Sequence, residues 1–496
     1  MYERGKSDSL VVPAKPPNKA VCAAAEVVEE RGLAKGNTVS ATRSGHRAGH
    51  GALNGLDRVR HVARKDKEAR FTALGHHVDL DRLRAAYRAI RPAAAPGVGG
   101  VRWEAYGQDL EANLQDLHRG LHAGSYRAKP SRRSYIPKAD GRLRPLGIAT
   151  VEDKILQRAV AEVLNAIYEV DFRGFSYGFR PGRNPHHALD ALAAGVVRKN
   201  VNWVLDADIR DFFTKLDQGW LGKFLEHRIA DQRVLRLIRK WLNAGVIENG
   251  EWSRTEEGTP QGASASPLLA NVYLHYVFDL WAHWWRRRNA HGDVIIVRWA
   301  DDFIVGFEHQ EDALRFLADL RERFAKFGLE LHPDKTRLIE FGRHAARRRR
   351  ARGLGRPETF DFLGFTHVCG TSKKGRFWLR RITITKRMRA KLREVNDQLK
   401  RRRHQPIPEQ GQWLASVVRG HRAYYAVPGN TDAVAAFRTQ ATRHWYKALR
   451  RRSQRTRLNW TRMNRLANRW LPPARVMHPF PEMRFDVRTQ GRGPVR

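Results

Sequence analysis

The chain has little sulfur. Among 496 residues there are 2 cysteines, Cys22 and Cys369, and 5 methionines. So few cysteines cannot build a disulfide framework or a Cys-rich zinc site, and they fit a reducing, intracellular compartment. No run of about 18 apolar residues occurs, so no transmembrane helix is expected. The opening MYERGKSDSL lacks the apolar core of a signal peptide. Acids are also scarce: 51 Asp+Glu face 92 Lys+Arg, a formal net charge of +41. Such a surplus opposes compaction until a polyanion neutralises it. It excludes an ordinary metabolic enzyme as the default and leaves nucleic acid or an anionic membrane. No basic amphipathic helix or lipidation signal speaks for a membrane. Basic residues interleaved with 14 Trp, 12 Tyr and 21 Phe suit phosphate contacts and base stacking instead. A hydrophobic content of 42% is enough for real cores.

At roughly 150 residues per domain the length suggests about three units. Residues 1–55 show weak periodicity and read as a basic extension, disordered without RNA. Helical spacing then begins, as in Leu110, Leu114, Leu117 and Leu121. Thr150 with Asp153 reads as a helix start. Strand-like runs follow at Val201–Ile209, Val294–Trp299, Phe303–Phe307, Phe360–Phe365 and Phe377–Ile384, with Arg347–Arg350 as a basic loop. This pattern predicts an α+β unit with an antiparallel sheet over residues 56–375. Residues 376–475 read as a helical domain, whose Trp413, Trp445 and Trp470 lie on apolar stripes; 476–496 form a tail. Residues 376–496 carry 30 Lys+Arg against 6 Asp+Glu, more than half of the whole excess.

The chemistry starts at Asp301 and Asp302. Alone, an Asp-Asp pair is better read as a solvated turn. Here it follows VIIVRWA and precedes FIV, so both carboxylates would sit at the tip of an apolar hairpin and repel each other. A divalent cation removes that repulsion. The run Leu205–Arg210 adds Asp206 and Asp208 on one strand face, followed by Asp211, Phe212 and Phe213. A strand-end carboxylate beside a hairpin-tip pair makes a hard oxygen site for Mg²⁺, which suits two-metal phosphoryl transfer. Between these acids lies GTPQGASASP, a turn-rich loop entering an apolar helix and able to approach a nucleotide closely.

Ordered motifs then cover the chain from about Leu56 to Asp486: FTALGHHVDLDRLRAAY, YIPKADGRLRPLGIATVEDKILQRAV, SYGFRPGRNPHHAL, VLDADIRDFFTKLD, GTPQGASASPLLANVYL, VRWADDFIVGF, LHPDKTRLIEFG, FDFLGFTH, WLASVVRGHRAYYAVPGN and RHWYKALRRRSQ. This series resembles the bacterial group II intron-encoded reverse transcriptases, or maturases. The resemblance implies a right-hand polymerase fold, with fingers and palm followed by an α-helical thumb, or X, domain. It implies Asp208, Asp301 and Asp302 as the catalytic acids. Together with the Ile209 backbone they would bind two Mg²⁺ ions, for which Mn²⁺ could substitute. Phe213 would pack under the deoxyribose, and Gln261 would lie in the nucleotide pocket. Lys138, Arg144 and Lys335 would bind triphosphate. Asp206 is better read as a salt-bridged strand residue than as a ligand. On the helical domain Arg401, Arg402, Arg403, Arg443, Lys447, Arg450, Arg451, Arg452, Arg455 and Arg457 are candidate RNA contacts. The implied partners are intron RNA as template, a DNA primer and target, and dNTPs. A homodimer is compatible with this. The implied location is the bacterial cytoplasm at the nucleoid, with no membrane.

The chain departs from the family pattern in four ways. Trp299 replaces the usual Tyr before Ala300-Asp301-Asp302, and Gly99 stands where Asp is usual. No Cys-pair/His endonuclease module follows the helical domain, so the primer is expected to come from elsewhere. The N-terminal extension is longer than the minimal pattern. The alternatives are an RNA-binding splicing factor without polymerase activity, or a domesticated reverse transcriptase in phage defence or repair.

Overall fold

The computed structural model describes residues 55–137, 143–253, 258–259, 262–372, 374–453 and 457–488. The expected basic extension therefore lies outside the described residues, apart from Gly55. Eleven strands occur among them: β1 (Ser131–Pro137), β2 (Leu143–Ile148), β3 (Trp203–Asp208), β4 (Val246–Glu248), β5 (Glu251–Ser253), β6 (Val294–Trp299), β7 (Asp302–Phe307), β8 (Arg337–Glu340), β9 (Phe360–Phe362), β10 (Phe365–Thr371) and β11 (Phe377–Thr383). They make three sheets, ordered β2-β1-β4-β5, β6-β7-β3-β8 and β11-β10-β9. All pairings are antiparallel except β1 with β4.

Both faces of the β6-β7-β3-β8 sheet are covered. Leu205, Ala207, Ile296, Phe303 and Phe307 point into a core shared with the helices Val151–Asp171 and Ser266–Leu274. Val204, Ile295, Val297, Ile304 and Ile339 point into a second core against the helix Pro185–Arg198 and the β9–β11 sheet. Residues alternate faces along a strand, so Asp206, Asp208 and Asp302 belong to the second face. Thr150 caps the helix Val151–Asp171: its Oγ accepts from the Asp153 N–H at 3.2 Å. The Asp153 carboxylate, 2% exposed, accepts from the Thr150 and Tyr126 hydroxyls.

The last part is helical, with helices Thr385–Arg401, Ile407–Tyr425, Thr431–Arg450 and Trp460–Trp470. Their core centres on Trp445, which is fully buried and donates to Gln410 Oε1 at 3.0 Å. Trp413 and Trp470 pack against it, half-buried, each under an arginine: Arg402 at 5.1 Å and Arg469 at 5.7 Å.

Two sequence expectations need correction. Arg347–Arg350 lie in the helix Ala345–Ala351, not a loop, because AARRRRA contains only strong helix formers. The run Phe360–Phe365 is two strands, separated by Leu363 (φ 46°) and Gly364 (φ 84°). Within the C-terminal tail a helix spans Pro481–Arg488 and packs on Pro185–Arg198. No helix among the described residues is long and apolar enough to cross a membrane.

Candidate active site

Register brings the acids together. In β3 and β7 Asp208 stands directly opposite Asp302, and in β6 and β7 Trp299 stands opposite Asp302 across the turn Ala300-Asp301. Asp206 pairs with Arg337 of β8 instead, at 3.4 Å, as a salt-bridged strand residue. The tight β6–β7 turn requires a left-handed residue, and Ala300 supplies it at φ 56°.

The backbone around Ile209 is set by its other neighbour. Arg210 N–H donates to the Glu330 carbonyl at 2.8 Å and His332 N–H to the Asp208 carbonyl at 2.8 Å. These bonds bracket Ile209 opposite Leu331. In such a pair the bracketed residue turns its own N–H and C=O away from its partner, here toward the β7 side.

The carboxyls of Asp301 and Asp302 resist ionisation. Desolvation at the cleft floor raises Asp301 first of all, and the charge of Asp208 adds to it; Arg144 and Lys335 oppose it. Asp302 is raised to about 7 by desolvation, then by Asp301 and Asp208. Asp302 is nonetheless open to water, which screens part of this repulsion. The Lys335 ammonium is already seated on Asp208 Oδ2. Among the described residues no three His, Cys, Asp or Glu side chains already close into a metal cage. The fit to Mg²⁺ rests on donor chemistry: hard oxygens, mutual repulsion, and a cation already drawn to Asp208.

Phe213 lies in the short helix Phe212–Lys215 that follows β3. It is half-buried, edge-on to Phe212 at 5.4 Å, and its carbonyl accepts from the Thr259 N–H at 2.8 Å. Gly258 (φ 80°) makes that approach possible; a Cβ there would stand 2.5 Å from the Phe213 oxygen. At the loop's other end Gly262 lies over β2, where a Cβ would meet the Gly147 oxygen at 2.9 Å. Ser264 N–H donates to Gln157 Oε1 at 2.9 Å. The loop thus spans from Phe213 to the strand that carries Arg144. Arg144 itself is exposed on β2. Lys138 and Gln261 lie outside the described residues.

Sequence reasoning missed Arg298, whose guanidinium is fully buried beneath the turn. The available signal was a single charge inside VIIVRWA. Gly99 (φ 83°) and Gly100 (φ 73°) are both left-handed, which accounts physically for glycine where Asp is usual.

On the helical domain Arg401, Arg443, Lys447, Arg450, Arg451 and Arg457 are exposed. Arg402 and Arg452 are partly used within the fold: Arg402 covers Trp413, and Arg452 donates to the Gln405 carbonyl at 2.6 Å. Arg403 is half-buried, and Arg455 lies outside the described residues. The Arg452–Gln405 bond joins the loop after Arg401 to the end of the helix Thr431–Arg450, so both arginine clusters share one end of the domain.

A family model described as "Reverse transcriptase (RNA-dependent DNA polymerase)" matches residues 136–367. Protein YkfC of Escherichia coli (strain K12) is 34% identical over 279 residues, covering 50% of this chain and 72% of that protein. Group II intron-encoded protein LtrA of Lactococcus lactis subsp. cremoris is 34% identical over 222 residues, 44% of this chain and 37% of its own length. An uncharacterized 91 kDa protein in a cob intron of Schizosaccharomyces pombe is 41% identical over 162 residues, 33% of this chain and 20% of that protein.

Proposed function

Because the chain belongs to the group II intron-encoded reverse transcriptases, and so is an RNA-directed DNA polymerase, we propose that it copies intron RNA by two-metal phosphoryl transfer and acts as a maturase for that RNA. The observation that carries the catalytic half is Asp208 facing Asp302 across β3 and β7, with Asp301 in the adjoining turn. The β2-β1-β4-β5 sheet corresponds to fingers, the β6-β7-β3-β8 sheet to palm, and the helical domain to thumb.

Asp208, Asp301, Asp302 and the Ile209 backbone would hold two Mg²⁺ ions. Bound there, Mg²⁺ would polarise the primer 3′-hydroxyl and neutralise charge on the departing pyrophosphate. Lys335, now on Asp208, and the exposed Arg144 supply cations to the triphosphate, a role the resemblance gives Lys138 as well. The Phe213 ring, held from behind by the Thr259 bond, forms the floor under the sugar and excludes a 2′-hydroxyl. The family resemblance assigns Gln261 to the nucleotide pocket. The exposed arginines at one end of the thumb bind intron RNA by shape and phosphate contacts. The expected setting is the bacterial cytoplasm, at the nucleoid.

Extension of a DNA primer on an RNA template tests the catalytic half. Full activity in Asp301→Ala or Asp208→Ala would refute the site. Acceleration of splicing of the flanking intron RNA at low Mg²⁺ tests the maturase half, and no effect on splicing would refute it.

A further inference from the structure

Arg298 is the only charged residue in Val294–Ala300, and it is 0% exposed. Its guanidinium donates to both oxygens of Asp279, at 2.7 and 2.6 Å, and Asp279 is itself 0% exposed. It also donates to Asn271 Oδ1 at 3.1 Å, to Ser176 Oγ at 2.7 Å and to the Ala300 carbonyl at 2.9 Å. That carbonyl belongs to the peptide link on which Asp301 hangs.

The remaining contacts converge on the same turn. Ala300 is held at φ 56°, a conformation that costs a non-glycine residue roughly 1–3 kcal/mol and persists only where its surroundings enforce it. Gly178 lies against it: a Cβ there would stand 2.4 Å from the Ala300 nitrogen. Asn271 is oriented by donating to the Gly178 carbonyl at 2.8 Å. Asp279 ends a π-helical turn, His275–Asp279, a rare widening that is frequent at functional sites.

A buried ion pair contributes little net stability compared with well-packed apolar residues of the same size. The network is therefore better explained by what it holds. We propose that Arg298 is a positioning residue for polymerisation: through the Ala300 carbonyl it fixes the peptide that aims Asp301 and Asp302, with Asp279 as its counter-ion. This rests on the reading of those acids as the metal-binding pair.

Two full-length variants test it. Arg298→Lys keeps the charge beside Asp279, but one ammonium cannot span all four partners. Arg298→Met/Asp279→Leu removes both charges and leaves no unpaired ion in the core. For each, Mn²⁺ binding is measured by electron paramagnetic resonance, and kcat and KM by extension of oligo(dT) on poly(rA), beside thermal melting.

Both variants are expected to fold. Loss of a residue that orients metal ligands lowers metal affinity or turnover by about 10- to 100-fold. Mn²⁺ affinity and kcat should fall by that much, while KM for dTTP changes by less than about threefold. Wild-type Mn²⁺ affinity and kcat in the folded double variant would overturn the proposal. So would failure of both variants to fold, which would make Arg298 a stability residue. If the wild-type chain extends no primer, the polymerase reading fails by itself, and the Mn²⁺ titration still decides the role of Arg298.

Discussion

Asp208 and Asp302 face each other across β3 and β7, with Lys335 seated on the first and Asp301 beside the second. This juxtaposition costs the fold electrostatically, a cost that the proposed metal ions would remove. Neutralising Asp302→Asn should remove primer extension by about 10²–10³-fold or more. The melting temperature of the metal-free protein should hold or rise. A variant that melts well below the wild type would mean that the carboxylate is a structural group.

Lys335 has a different signature. On the proposed reading, Lys335→Gln frees Asp208 and removes a cation from the triphosphate path. KM for dNTP should rise by roughly tenfold, about 1.4 kcal/mol, with primer–template affinity unchanged. Steady-state kinetics against dTTP reads this directly.

Phe213 is positioned by its backbone bond to Thr259, so a smaller side chain leaves the loop in place and, on the proposed reading, opens space under the sugar. Phe213→Val should lower discrimination against ribonucleotides by about 10- to 100-fold, the scale of a hydrophobic-pocket contact. Competition between dTTP and UTP on one template measures the ratio.

Much of the site could be read in the sequence because strand period and register are simple. The alternation of β3 puts Asp206 and Asp208 on one face, and the hairpin around Ala300-Asp301 follows from the apolar runs on either side. Asp206 pairs with Arg337, a partner 131 residues away that only the β3–β8 register reveals. Arg298 was hidden for the same reason: its partners Ser176, Asn271 and Asp279 come from separate elements up to 122 residues distant. The helix at Ala345–Ala351 was misread because an arginine run was taken for loop composition, although each residue favours helix.

The C-terminal segment ties the helix Ile407–Tyr425 to the helix Pro185–Arg198. His478 Nε2 contacts the Ala423 carbonyl at 2.7 Å, Met477 N–H donates to the Ala426 carbonyl at 2.8 Å, and Arg484 reaches Asp190 at 3.2 Å beside Arg381. Arg484→Ala should destabilise the chain by about 1–3 kcal/mol. It should also expose the segment around Pro481 to protease. Urea denaturation and limited proteolysis check both effects.

The same junction sets an acid limit. His186 stacks on His478 at 4.0 Å with Arg484, Arg381 and His187 nearby. Burial first, then these neighbours, lowers it to about 3. A histidine depressed in the folded state favours folding above its unfolded pKa of about 6.5. That contribution is lost as the pH falls from there toward 3. The melting temperature should therefore drop below pH 6.5, and His186→Phe should flatten the drop.

The most direct measurement of the whole account is Mg²⁺-dependent extension of a DNA primer on an RNA template by the full chain, beside Asp208→Asn and Asp301→Asn. The account predicts RNA-templated DNA from the wild type, none from either variant, and equal RNA binding by all three proteins. Wild-type levels of product from either variant, or no product from any of them alongside intact RNA binding, would contradict it.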